Sequence, residues 1–131
     1  MIILMIRGIG VDAVNIGEIK RYIQDDFFGS AYVRRTFTPN EVLASSGAAC
    51  PGTYYAARFA AKEAVFKAVA SLTKSKSFDF RIVETLNEDD GKPYININNE
   101  LRVLLDEASV QTLHISITTE GEYAIAFVVA C

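Results

Sequence analysis

The run YAARFAAKEAVFKAVA, Tyr55 to Ala70, decides how this chain folds. It is rich in alanine and contains neither Gly nor Pro, so intrinsic propensity favours one long helix, expected over 53–72. At about 100° per residue, Arg58 and Lys62 share one edge of that helix, and Glu63 and Lys67 share another. Phe59 and Phe66 lie between those edges, while Ala60, Ala61, Ala64 and Ala68 form a smooth opposite face. A surface helix shows one wide polar face. This one is apolar over most of its circumference, so its charges are expected to be partly enclosed and to need partners: a metal, a phosphate or each other. The competing reading makes Glu63 and Lys67 an ordinary i,i+4 surface pair, worth only about 0.2–0.5 kcal/mol.

On the N-terminal side, residues 2–11 read as a strand apolar enough to be buried on both faces. A helix of about ten residues starts near Asn15 and ends before Gly29. Thr38-Pro39-Asn40-Glu41 is a strong helix start, with Thr38 as N-cap, Pro39 first in the helix and Glu41 closing a capping box. Ser45-Ser46-Gly47 and Cys50-Pro51-Gly52 end that short helix in a loop. Beyond the long helix, strands are expected near 79–87 and 93–98, joined through the turn-rich Asn87-Glu88-Asp89-Asp90-Gly91. Residues 99–108 read as helix, and a hairpin of 112–118 and 122–130 closes the chain around Glu120-Gly121. Strands mixed with helices and ending in an antiparallel pair indicate an α+β fold.

A chain of 131 residues has room for one domain, taken as residues 1–131. Its net charge of −3 gives no whole-protein attraction to nucleic acid or to an anionic membrane, so an anionic ligand needs a local cluster of cations. The opening Met1-Ile2-Ile3-Leu4-Met5-Ile6 is too short to span a bilayer, is interrupted by Arg7 and lacks the features of a signal peptide; a cytoplasmic protein is expected. Cys50 and Cys131 make no metal spacing and are expected to be free thiols.

Gly8-Ile9-Gly10-Val11-Asp12 places a carboxylate at the end of the first strand, after two glycines that let something approach the backbone. Alone, such an Asp also reads as a helix cap or turn residue. Together with Glu63 on a core helix, it suits an oxygen-ligated Mg²⁺ that keeps several waters and takes its other ligands from substrate phosphates. Adding Arg58, Lys62 and Lys67 matches the site to a polyphosphate ester rather than to a bare metal.

Five blocks carry a resemblance. Gly8-Ile9-Gly10-Val11-Asp12, Phe37-Thr38-Pro39-Asn40-Glu41, the helix Arg58 to Ala68, Gly91-Lys92-Pro93-Tyr94 and His114-Ile115-Ser116-Ile117-Thr118 resemble, in order, the motifs of the holo-acyl-carrier-protein synthases. These are small 4'-phosphopantetheinyl transferases, and the wording is also similar to the transferase domain of fungal fatty-acid synthases. The resemblance implies a mainly antiparallel sheet packed against a long central helix. It implies Asp12 and Glu63 as Mg²⁺ ligands, and Lys67 on the coenzyme A phosphates near the reacting centre. Arg58 and Lys62 then help hold the nucleotide phosphates, His114 lies near the 3'-phosphate, and the Gly91-Lys92-Pro93 turn closes over the same ligand. Without the resemblance, His114 reads as a satisfied strand histidine.

The implied reaction is attack by a serine of an apo acyl carrier protein on the pantetheine-side phosphorus of coenzyme A, releasing adenosine 3',5'-bisphosphate. Mg²⁺ and Lys67 neutralise charge on the pyrophosphate oxygens; a metal-activated water and Glu63 are both candidates for the base. A homotrimer with interfacial active sites is implied too. The apolar residues on both faces of 123–130 suit it, one face for the core and one for a neighbour. Three positions depart from the family pattern. Asn15 and Glu18 stand where Glu and a carrier-gripping Arg are common, and Thr119 replaces a second His. Readings from other classes are a catalytically idle homologue that binds coenzyme A or nucleotide, and an interaction domain without ligand.

Overall fold

Strand β1 (Gly8–Asn15) lies directly against helix α4 (Pro51–Val69) in the computed structural model, which describes residues 5–25, 28–74 and 77–131. The contact is backbone to backbone. A Cβ on Gly8 would sit 1.9 Å from the carbonyl oxygen of Ala68, and one on Gly10 would sit 1.9 Å from that of Ala64. What the two glycines admit is therefore the alanine face of α4, and no other side chain is small enough at those positions. Ala60, Ala61 and Ala64 are accordingly fully buried.

β1 is an edge of a three-stranded antiparallel sheet of order β1-β5-β4, completed by the hairpin β4 (Leu113–Glu120) and β5 (Tyr123–Ala130). Its turn is Gly121-Glu122, with Gly121 at φ +59°, the left-handed conformation a two-residue hairpin demands. Along β5, Ala124, Ala126, Val128 and Ala130 are fully buried against the helix side. Tyr123 and Phe127 point to the other face and are exposed, together with Ile9 and Val11 of β1. Burial of the first strand on both faces is thus overturned: it is covered by α4 on one side only. Its bounds move as well, since the expected 2–11 is strand only from Gly8; residues 5–7 are not strand, and residues 2–4 lie outside the described residues.

Asn15 caps α1 (Ile16–Gln24), its side-chain oxygen accepting from the Glu18 amide at 3.1 Å. A second helix follows, α2 (Phe28–Thr36), over a stretch left unassigned by the sequence reading. Gly29 is its second residue rather than a stop signal, and it is glycine because α1 crosses there: a Cβ would meet the Tyr22 carbonyl at 2.6 Å. Thr38 makes the full capping box of α3 (Pro39–Ser45) with Glu41. Cys50-Pro51-Gly52 begins α4 instead of extending the preceding loop, with Pro51 in the first turn where a missing N–H is harmless. α4 ends at Val69, and a 3₁₀ turn finishes the expected span at Leu72.

The expected strand 79–87 is divided into a 3₁₀ turn, Phe80–Ile82, and β2 (Glu84–Asn87). β2 pairs antiparallel with β3 (Pro93–Asn96) as a separate two-stranded sheet. Asn98 is not strand but the N-cap of α5 (Asn99–Glu107). Both cysteines are free. Among the described residues, no helix is long and apolar enough to cross a membrane.

Candidate active site

The direct packing of β1 on α4 brings Asp12, on the helix-facing side of the strand, to the helix edge that carries Glu63 and Lys67. Lys67 Nζ donates to Asp12 Oδ1 at 3.0 Å and to the Val11 carbonyl at 3.1 Å. Lys67 is half exposed, so this pair adds little stability. Burial and then the charge of Asp12 push the Glu63 carboxyl above the usual carboxylate range, with Lys67 pulling the other way. Two carboxylates thus press on each other at one end of a cavity of about 290 Å³, whose walls include Ile19, Tyr22, Tyr32 and Phe59.

That donor set fits a hard divalent cation. Both groups offer oxygen, their mutual repulsion is relieved by positive charge, and Mg²⁺ binds through one or two carboxylates while keeping its waters. Among the described residues there is no cluster of three or more His, Cys, Asp or Glu side chains able to hold a metal. A cation bound here would find two protein carboxylates, Asp12 and Glu63, and would need its other ligands from water or substrate.

Arg58, one edge over on α4, is almost buried. Its guanidinium lies over the Tyr54 ring, 4.4 Å from the centroid, and donates to Asn87 Oδ1 at 2.8 Å, while its Nε has no partner among the described residues. Asn87 is paired with Pro93 across the β2–β3 ladder. Arg58 is therefore tied to the hairpin that carries Gly91, Lys92 and Pro93. Gly91, at φ +90°, makes the turn, which is closed by the Glu88 amide donating to the Lys92 carbonyl.

Comparison with known proteins bears on this arrangement. Residues 8–128 match the 4'-phosphopantetheinyl transferase superfamily. A holo-[acyl-carrier-protein] synthase of Halothermothrix orenii is 36% identical over 125 residues, 95% of this chain and 97% of that protein. The crystal structure of the Neisseria meningitidis synthase superposes with a TM-score of 0.83 at 36% identity, covering 96% of this chain and 98% of that one. A Helicobacter pylori synthase in complex with coenzyme A superposes at 0.77 with 26% identity, covering 94% and 99%. The chain belongs to the holo-[acyl-carrier-protein] synthase family. Its α+β fold is the fold of those synthases.

Within this synthase fold, two of the residues expected at the site lie elsewhere. Lys62, expected to grip phosphate, is fully buried and its ammonium is saturated. It donates to Glu41 Oε1 at 2.8 Å, to the Phe80 carbonyl at 3.0 Å and to the Val83 carbonyl. With three donors and three acceptors it has nothing left for a ligand, so the structure gives it an internal role in place of the expected one. His114 lies on the exposed face of β4, its Nε2 3.3 Å from Thr112 Oγ1. Strand alternation puts it on the opposite side of the sheet from Asp12. One chain does not bring His114 and the Asp12–Glu63–Lys67 group together.

The sequence reading missed Tyr32, Asn87 and the polar cluster behind Lys62. Glu41 does more than cap: besides Lys62 it accepts from the Thr38 amide at 3.0 Å and, through its other oxygen, from the Thr85 amide at 3.1 Å. Thr38 Oγ1 in turn donates to Glu84, which also accepts from Asn96 Nδ2 at 2.9 Å. The available signal was a glutamate and a lysine, both in family blocks, with no surface-like surroundings for either.

Proposed function

We propose that this chain transfers the 4'-phosphopantetheine of coenzyme A to a serine of an apo acyl carrier protein, releasing adenosine 3',5'-bisphosphate, with Mg²⁺ held by Asp12 and Glu63. The observation that carries the reading is the convergence of Asp12 and Glu63 at one cavity, with Lys67 bonded to Asp12, in a chain whose fold and sequence are those of the synthase family. Bound there, the metal supplies charge neutralisation for the pyrophosphate being cleaved. Lys67, half exposed and held among the described residues by Asp12 and the Val11 carbonyl, is placed to donate to phosphate oxygens of a bound substrate. Arg58 and the Gly91-Lys92-Pro93 turn, joined through Asn87, form the part of the site that holds the nucleotide. The serine oxygen bonds to phosphorus as the pyrophosphate P–O bond breaks, and its proton passes to a base at the Asp12–Glu63 end.

His114 belongs to the same reaction only if a second copy supplies it. Its position across the sheet from Asp12 supports a homotrimer whose active sites lie between subunits, as does the exposed apolar face of Ile9, Val11 and Phe127. The enzyme works in the cytoplasm, where its two cysteines remain thiols.

The test is mass spectrometry of apo-carrier incubated with coenzyme A and Mg²⁺, looking for the phosphopantetheine mass gain. The gain should vanish in excess EDTA and in Asp12→Ala and Glu63→Ala, with the circular dichroism spectrum of both variants unchanged. Binding of coenzyme A without any mass gain on carriers would identify an idle homologue. Full activity in EDTA would end the metal assignment.

A further inference from the structure

Tyr32, on α2, presents a polar atom that the fold leaves without a use. Its hydroxyl oxygen is buried and has no hydrogen-bond partner among the described residues. Such groups are rare because an unmade hydrogen bond in the interior is costly. The ring cannot easily swing the hydroxyl elsewhere, since it is held between Tyr22, Phe37 and Phe59, with centroid separations of 5.5, 5.8 and 6.2 Å. Tyr32 lines the same small cavity as Asp12 and Glu63. A tyrosine hydroxyl is protonated at neutral pH and so remains a donor.

An acceptor lines the same cavity, the carboxylate of Glu63. A carboxylate that gives one oxygen to a cation keeps a second oxygen with free lone pairs, and its orientation is loose unless a neighbour donates to it. We propose that Tyr32 is a positioning residue for Glu63, its O–H donating to the carboxylate oxygen turned away from the metal and so holding Glu63 in its ligating rotamer. The orphaned donor is then the prepared half of a hydrogen bond to a ligating Glu63. A neutral donor suits this place better than a lysine or arginine, because it orients the carboxylate without cancelling the charge that attracts the metal. The inference rests on Asp12 and Glu63 as the metal ligands.

Tyr32→Phe removes only the hydroxyl and tests this directly. The probe is Mn²⁺, titrated against the protein with coenzyme A at saturation and followed through the electron paramagnetic resonance signal of the free ion. Loss of the orienting bond should raise the Mn²⁺ dissociation constant about tenfold. The melting temperature of the metal-free variant should equal or exceed that of the wild type, because an unpaired buried hydroxyl has been removed. A rise in dissociation constant of less than about threefold overturns the positioning role, on the same outer-partner scale. A fall in the metal-free melting temperature also overturns it, since the hydroxyl would then be supporting the fold. Asp12→Asn and Glu63→Gln are run alongside. If they lose Mn²⁺ and Tyr32→Phe does not, the Tyr32 inference alone fails; if they too bind normally, the metal assignment fails and takes the inference with it.

Discussion

Lys62 Nζ lies 2.8 Å from Glu41 Oε1, and neither side chain has any exposed surface. This pair joins the first turn of α3 to the middle of α4. Through the carbonyls of Phe80 and Val83 it also fastens the segment leading into β2. Desolvation lowers the proton affinity of Lys62, and Glu41 is the chief group opposing that. Removing one partner leaves the other charged and buried, which typically costs about 3–5 kcal/mol. Lys62→Met and Glu41→Gln should each lower unfolding free energy by roughly that amount in urea. The Michaelis constant for coenzyme A of the fraction that remains folded should not change. A variant that keeps full stability but binds coenzyme A poorly would return Lys62 to the phosphates.

Gly10 controls the distance between the two proposed metal ligands. A methyl group there meets the Ala64 backbone carbonyl, which no rotamer change can move aside. Gly10→Ala should therefore push β1 off α4, carrying Asp12 away from Glu63. The expected cost is about 1–3 kcal/mol, as for overpacking, with a larger proportional loss of transfer than Ala13→Val, whose side chain is exposed on the other face. Equal effects of the two substitutions on transfer would refute this.

Glu84 makes acid stability a reporter of the internal cluster. Burial alone would raise its carboxyl, but donation by Thr38, Asn96 and Asn40, with the Lys62 charge, holds it below the usual value of 4.5. A folded value below the unfolded one means that the contribution is whole above about pH 4.5 and is lost as pH falls through the folded value. Glu84→Gln should be less stable than the wild type by about 1–3 kcal/mol at pH 7, with the gap closing under acid. A gap that stays constant down to the acid transition would contradict the shift.

The outer face of the sheet is the proposed subunit contact. Light scattering at micromolar concentration should report three copies, and Phe127→Glu, at the centre of the exposed face beside Val11, should yield monomers that no longer transfer. Monomeric wild-type protein with full activity would dismiss the shared site.

Carrier docking is where the chain departs from its family. Glu18 stands where an Arg is usual, and in this fold it serves the first turn of α1, its amide bonded to Asn15 and its charge favourable to the helix dipole. Arg21, in the last turn, is exposed, as are Lys20, Arg34 and Arg35. If these residues meet an acidic carrier, each pair contributes only about 0.2–1 kcal/mol, felt chiefly as salt-sensitive association. Arg21→Glu should raise the Michaelis constant for the carrier several-fold and leave that for coenzyme A unchanged; Glu18→Arg should improve use of acidic carriers. No effect of either at low salt would move docking away from α1.

What the sequence by itself determined is what is local or strongly patterned. The alanine-rich helix, the Thr38–Glu41 capping box, the closing hairpin and the α+β class follow from periodicity and cap chemistry, which act over a few residues. The family motifs, matched in order along nearly the whole chain, pointed to the transfer chemistry. Only the tertiary structure decided where each charge on α4 goes. Lys62 and Lys67 lie five residues apart on one helix and read alike as cations. Yet one is sealed against Glu41 and two carbonyls, while the other stands half exposed at Asp12. Helical spacing fixes the angle between two side chains, but not which neighbour covers each of them. α3 and β2, brought from distant parts of the sequence, close over the first, and the glycine-lined strand β1 runs past the second, placing Asp12 beside it. The same reason hid Tyr32: α2 has no cap or periodic pattern strong enough to mark it, and its hydroxyl matters only because α1 and α4 enclose it.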